Sequence, residues 1–214
     1  MRLSVSHISK AYHGNMVLED CSWSFDREGV HVLMGPNGSG KSTLLRICSL
    51  LEKPDRGGIA FFSGQERLED DMALKRRMTL VLPQVGIFNS SVFDNAAFGL
   101  RIRGMARREV ERRCSEMLSL ARLADKRFQR AVTLSSGEKQ RLGIARALVI
   151  EPEMLFLDEP TASIDEANTR IIEEIILEKR HGMSIIMTTH DRAQAERLAD
   201  QLLALRNGRI AGED

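Results

Sequence analysis

Three short stretches carry side chains suited to phosphate and metal chemistry. The first, Gly35-Pro36-Asn37-Gly38-Ser39-Gly40-Lys41-Ser42, fits G-x-x-x-x-G-K-[ST] without a mismatch. Glycines in such a loop let backbone N–H groups turn inward around a phosphate chain, and a helix starting at its end adds free N–H groups and a positive dipole end. Lys41 would reach the β- and γ-phosphates, and Ser42 would offer its hydroxyl to Mg²⁺. The second stretch is the apolar run Met154-Leu155-Phe156-Leu157, which ends in Asp158-Glu159. A strand there delivers Asp158 to a metal held by Ser42, and leaves Glu159 to orient or deprotonate a water. The third is "SIIMTT", which ends in His190. Ligands gather at the carboxyl ends of parallel strands, so His190 is placed for a γ-phosphate contact or for holding the attacking water.

The bland alternatives are a Gly-rich turn with a surface lysine, two acids capping a helix, and a structural histidine. What decides between the readings is the elements around these residues. "VHVLM" runs straight into the glycine loop, and helical spacing follows it at Leu44, Leu45, Cys48 and Leu51. "RLSVSHI", "GGIAFF" and "MTLVL" read as further strands. From about Val92 to Arg130 the pattern turns helical, with Val110, Cys114, Met117, Leu118 and Ala121 on one face. A helix after Gly137, the strand "MLFLD", an Ile-rich helix, the strand "SIIMTT" and a short helix from Asp191 then alternate. "QLLAL" with Asn207-Gly208 predicts a terminal hairpin. Continuous apolar strands alternating with helices predict a largely parallel α/β core, with residues 85–135 as a helical subdomain.

Bulk properties narrow the class. A chain of 214 residues with 43% hydrophobic and 29% charged residues suits one medium domain, or a core with a subdomain. A net charge of +1 gives no global reason to expect nucleic acid or a membrane surface as partner. Cys21, Cys48 and Cys114 are widely spaced with no CxxC, which suits a reducing compartment rather than a disulfide framework or zinc site. No apolar run reaches the length of a signal peptide or a membrane span, so any membrane role is expected to come through a partner.

Those three stretches, together with "LSSGEKQ" at 134–140, resemble the nucleotide-binding subunit of ATP-binding cassette (ABC) transporters over essentially the whole chain. The aromatic of "KAYHG", the phosphate loop, "LPQ", the signature stretch, "LFLDEP", "SID" and "TTH" fall in that family's order. The resemblance implies an α/β P-loop NTPase core with a largely parallel sheet, an N-terminal antiparallel β portion and an inserted helical subdomain. It also implies an ATPase converting ATP and water to ADP and phosphate, with Mg²⁺. Tyr12 would stack on adenine, Gly35 to Thr43 would hold the phosphates, and Gln84 would contact Mg²⁺ or the attacking water. Glu159 and His190 would act on that water, with Ser42 and Asp158 at the metal.

Ser135, Ser136, Gly137 and Glu138 would complete the ATP site of a second copy in a head-to-tail homodimer, and Asp165 would serve communication between subunits. The family's typical signature is LSGGQ, so Ser136 and Glu138 are departures. Ser135-x-x-Glu138 is also a capping box, in which glutamate and glutamine serve equally. Ser136 would occupy the first helical position, where glycine is not needed.

By the same resemblance, the partners would be a membrane permease and an extracytoplasmic solute-binding protein. The chain would sit in the cytoplasm, peripheral on the inner face of the membrane. "FNSSVFDNAAFGLRIRG" and "LLRICSLLEKPDRG" resemble importers of oxyanions such as phosphate or tungstate. A regulatory ATPase pulling on a membrane protein without transport is an alternative. So is a nucleic-acid-associated ATPase, though the arginines from 101 to 113 alternate with Glu109 and Glu111 as on a solvated helix face.

Overall fold

In the computed structural model, which describes residues 1–212, β1 (Arg2–Tyr12) and β2 (Asn15–Phe25) pair antiparallel. With β4 (Arg56–Ser63) and β5 (Glu66–Leu68) they form a sheet of order β2-β1-β4-β5. Leu3, Val5 and Ile8 of β1 and Leu18, Cys21 and Phe25 of β2 are buried in the core. Register shifts along β1 and β2 break the strict period of two, which is why β2 carries no clear strand signal in the sequence.

The second sheet has the order β10-β9-β3-β8-β7-β6. Its centre is β3 (Gly29–Met34), β8 (Ser184–Thr189) and β7 (Met154–Asp158), parallel and almost wholly buried. That explains their continuous apolar runs. β6 (Met78–Val81) closes one edge, and β9 (Gln201–Arg206) runs parallel to β3. β10 (Arg209–Gly212) returns antiparallel through Asn207 and Gly208, both at positive φ (49° and 71°), the conformation a two-residue hairpin turn requires.

α1 (Lys41–Cys48) packs on β2, β7 and β8, so Leu44, Leu45 and Ile47 share a core with Phe25, Phe61, Phe156 and Leu203. α2 (Met72–Lys75) is a single turn capped by Asp71. All three cysteines are free and buried, and burial pushes the Cys48 thiol up to about 12, leaving it inert at neutral pH.

The chain divides into two compact units. One contains both sheets, with Met1–Leu80, Glu153–Glu159 and the residues from Lys179 onward. The other is helical and comprises Val81–Pro152 and Pro160–Glu178. In it, α3 (Val92–Ile102), α4 (Arg107–Leu120) and α5 (Ser136–Leu148) pack on one another. Val110, Cys114, Leu118 and Ala121 are buried as the helical spacing predicts, with Met117 at the margin. This unit takes in more chain than residues 85–135, because the buried face of α5 is committed to α3 and α4. α6 (Glu166–Lys179) and α7 (Arg192–Leu198) complete the chain, α7 lying on β3 and β8. Arg112 bridges Glu109 and Glu116, Arg113 pairs with Glu109 and Glu151, and Arg101 pairs with Asp94. These arginines therefore lie in a charge-balanced face.

Candidate active site

The loop from Gly35 to Gly40 joins β3 to α1. Gly40 precedes the helix at φ 100°, and a Cβ there would lie 2.8 Å from Leu18 and 2.9 Å from the Val17 carbonyl, so only glycine fits. No side chain caps α1, which leaves its first-turn N–H groups and positive dipole end directed at the loop. The hydroxyl of Ser39 is buried there without a hydrogen-bond partner. An orphaned donor beside uncapped amides suits an anion with several acceptor oxygens. Lys41 is buried, and its Nζ donates to the carbonyls of Gly35 (2.8 Å) and Pro36 (3.2 Å). A groove of about 460 Å³ opens over this loop, bounded by Tyr12, Val17, Asn37, Gly38, Gly40 to Thr43 and Glu159.

At the end of β7, Asp158 is 1% exposed. Its Oδ1 accepts from the hydroxyls of Ser42 (3.0 Å) and Thr188 (2.9 Å). Thr188 is the residue opposite Asp158 in the parallel β7–β8 register. The same Thr188 oxygen accepts the backbone N–H of Glu159 at 2.9 Å. Glu159 has φ 44°, a left-handed conformation costly for a residue with a side chain, and this bond helps hold it there. Its carboxylate lies between Lys41 Nζ (3.5 Å) and His190 Nδ1 (3.3 Å). His190 is mostly exposed, beyond the end of β8.

Ser42 and Asp158 together form a small, all-oxygen donor pair. Among the described residues no group of three or more His, Cys, Asp or Glu could hold a metal. The chemistry of the donor pair fits Mg²⁺, a hard ion that takes one or two protein oxygens and completes its shell with phosphate oxygens and water.

Tyr12 ends β1 at the wall of the groove. Its hydroxyl donates to Glu52 at 2.5 Å, and Lys10 Nζ lies 5.6 Å from its ring centroid.

In the helical unit, "LSSGE" starts α5 with a complete capping box. Ser135 Oγ accepts the N–H of Glu138 at 3.3 Å, and Glu138 Oε2 accepts the N–H of Ser135 at 2.9 Å. Glu138 therefore folds back onto the helix start, and its other oxygen pairs with Lys126. Ser136 and Gly137 are not at positive φ. Gly137 is required for another reason: a Cβ there would lie 2.3 Å from Cγ of Asn168. Asn168 is fixed in turn by Asp165, whose carboxylate accepts its backbone N–H (2.8 Å) and amide (2.7 Å), and by Arg141 Nε on its carbonyl oxygen (2.8 Å). Asp165 thus caps α6, and the N–H of Asn168 and then its amide hold the Asp165 carboxyl below its usual range. Gln84 also belongs to this unit, exposed on the segment after β6.

A profile of the ABC transporter family matches residues 18–162. The chain belongs to that family. It is 36% identical to the tungstate uptake system ATP-binding protein TupC of Peptoclostridium acidaminophilum over 216 residues, covering 100% of this chain and 99% of that protein. It is 35% identical to the phosphate import ATP-binding protein PstB 2 of Natronomonas pharaonis over 221 residues, 97% of this chain and 78% of that one. Among solved structures it matches the dimeric post-hydrolysis state of the ATP-binding cassette MJ0796 bound to ADP and Pi. That match has a TM-score of 0.86 at 26% identity, over 99% of this chain and 97% of that one.

As an ABC transporter ATP-binding protein, the chain is an ATPase coupled to transport. No helix among the described residues is long and apolar enough to cross a membrane. Four residues with clear structural parts at these ABC motifs, Thr188, Asn168, Arg141 and Lys126, are not singled out by sequence reasoning. Only Thr188 leaves a signal, lying at the carboxyl end of the apolar run that leads to His190.

Proposed function

We propose that this chain is the ATPase subunit of an oxyanion importer, closing as a homodimer around two ATP molecules with Mg²⁺. The observation that carries this reading is the hydroxyl-linked set Ser42–Asp158–Thr188–Glu159, of which Ser42 and Glu159 line the phosphate-loop groove. Ser42 and Asp158 would hold Mg²⁺, which supplies charge neutralisation on the phosphates. Lys41 and the α1 amides would bind the β- and γ-phosphates, and Tyr12 would stack on the base. Glu159 would take the proton of the attacking water while His190 orients the carboxylate and water. Gln84 would contact the metal or the water. Ser135 to Glu138 would complete the site of the second copy, with Asp165 relaying closure between subunits.

The dimeric state of MJ0796 supports the dimer, and the names of the tungstate and phosphate relatives support import of an oxyanion. The permease would hold the chain peripherally at the inner membrane face, with a solute-binding protein outside.

Two measurements test the proposal. Glu159→Gln should abolish steady-state Mg²⁺-dependent ATP hydrolysis and accumulate an ATP-bound dimer in size-exclusion chromatography; hydrolysis at the wild-type rate removes Glu159 from the mechanism. Cells lacking the chain should lose uptake of labelled tungstate, molybdate or phosphate, and undiminished uptake of all three overturns the oxyanion assignment.

A further inference from the structure

The signature stretch of this chain carries a negative charge that LSGGQ does not. If Ser135 to Glu138 complete the ATP site of a second copy, an unbalanced carboxylate at residue 138 would face a triphosphate and repel it. Both Glu138 oxygens are committed in the structure. Oε2 accepts the N–H of Ser135 at 2.9 Å, and Oε1 pairs with the ammonium of Lys126.

Lys126 ends a 3₁₀ turn, Ala124–Lys126, whose backbone is pinned at both sides. Its N–H donates to the Leu123 carbonyl at 3.1 Å, and its own carbonyl accepts from Gln129 at 2.9 Å. The lysine stem therefore starts from a fixed point. The cation nearest in sequence on α5's inner side, Arg141, is turned elsewhere: it donates to Asn168 and to the carbonyls of Ala121 and Arg122. Arg141 also acts on Glu138 at a distance, but Lys126 is the cation in direct contact with it. The Glu138 carboxyl is held below its usual range, first by Lys126 and then by the Ser135 N–H, so it is ionised at neutral pH and its charge must be met.

We propose that Lys126 is a positioning residue for the signature: it neutralises Glu138 and keeps that carboxylate folded into the cap, so that Lys126 and Glu138 together do what a single neutral glutamine does in LSGGQ. The role rests on the proposed head-to-tail ATP dimer. Lys126 is then needed because residue 138 is a glutamate. Replacing Glu138 by glutamine should remove the need.

The experiment is a double-mutant cycle in the Glu159→Gln background, reading the ATP concentration that gives half-maximal dimer, with melting temperatures alongside. Lys126→Met should raise that concentration about tenfold or more, and Lys126→Gln, which keeps hydrogen-bond donors without charge, should do the same. Lys126→Arg should stay within about threefold of its parent. Lys126→Met combined with Glu138→Gln should return to within about threefold of Glu138→Gln alone. A merely structural lysine would lower the melting temperature and show no such rescue. Unchanged dimerisation on loss of the lysine charge, or a double variant as impaired as Lys126→Met, overturns the proposal. If the background protein with Lys126 intact fails to dimerise on ATP, the signature reading itself falls and takes this role with it. Dimerisation without coupling in the cycle removes only the role of Lys126.

Discussion

Thr188 stands opposite Asp158 across the β7–β8 register and serves two residues at once, donating its hydroxyl to Asp158 Oδ1 and accepting the N–H of Glu159. One side chain thereby fixes the proposed metal carboxylate and the strained backbone of the proposed base. Thr188→Val keeps the shape but leaves the part-buried N–H of Glu159 without its partner and Asp158 short of a donor, a cost of about 1–3 kcal/mol. The expected result is a kcat for ATP hydrolysis lower by roughly tenfold to a hundredfold, with Thr188→Ser restoring most of it. An unchanged kcat for Thr188→Val would show that Glu159 is held by other means.

The contact of Gly137 with Asn168 gives a second prediction. An alanine at 137 would drive its Cβ into the Asn168 carboxamide, which Asp165 and Arg141 hold in place. Overpacking of this kind costs about 1–3 kcal/mol. Gly137→Ala should therefore lower the stability of the helical unit in denaturant titrations. In an Asn168→Ala background, where Cγ and Nδ2 are gone and only the Cβ at 2.8 Å is left in the way, the same change should cost less. Equal penalties in both backgrounds would mean the loop relaxes elsewhere.

How far the sequence discloses this molecule depends on whether the information is local. The phosphate loop, the carboxylates after "MLFL" and the Ser135–Glu138 box are each read from neighbours within a few residues, and their local geometry is found as expected. The Asn207-Gly208 hairpin is local in the same way. β2 is obscured because register shifts spoil its alternation. Thr188 depends on the strand register, and Lys126 on a turn twelve residues from its partner in the chain. Asn168 depends on the close approach of α6 to α5, which no pattern within either helix announces. The need for glycine at 137 is steric, set by Asn168 and not by a positive φ.

The Glu138 cap also predicts a pH dependence. Its folded-state pKa lies below the usual 4.5, chiefly through Lys126 and then through the Ser135 N–H. A depressed carboxyl pKa stabilises the folded state fully above the unfolded value, and that contribution is lost as pH falls through the folded value. Wild type should therefore melt above Glu138→Gln at pH 7, and the gap should close as pH drops below about 4.5. Thermal melts of both proteins from pH 7 to about pH 3 check this. A gap that persists undiminished in acid would show that the ionised carboxylate is not its source.

Tyr12 supplies a test of what the groove binds beyond phosphate. Its hydroxyl is anchored to Glu52 and Lys10 lies near its ring, so the aromatic body is held at the groove wall with Asn37 and Gly38. Stacking of a base on an aromatic ring is worth about 1–3 kcal/mol by alanine substitution. Tyr12→Ala should weaken ATP binding by roughly fivefold to a hundredfold, whereas Tyr12→Phe, which keeps the ring, should lose much less. Tripolyphosphate, which has the phosphates without a base, separates stacking from indirect damage to the loop. Its affinity should be the same for wild type and Tyr12→Ala, because the α1 amides and Lys41 are untouched. Equal losses for ATP and tripolyphosphate would instead make Tyr12 a support for the phosphate loop and leave the base without its platform.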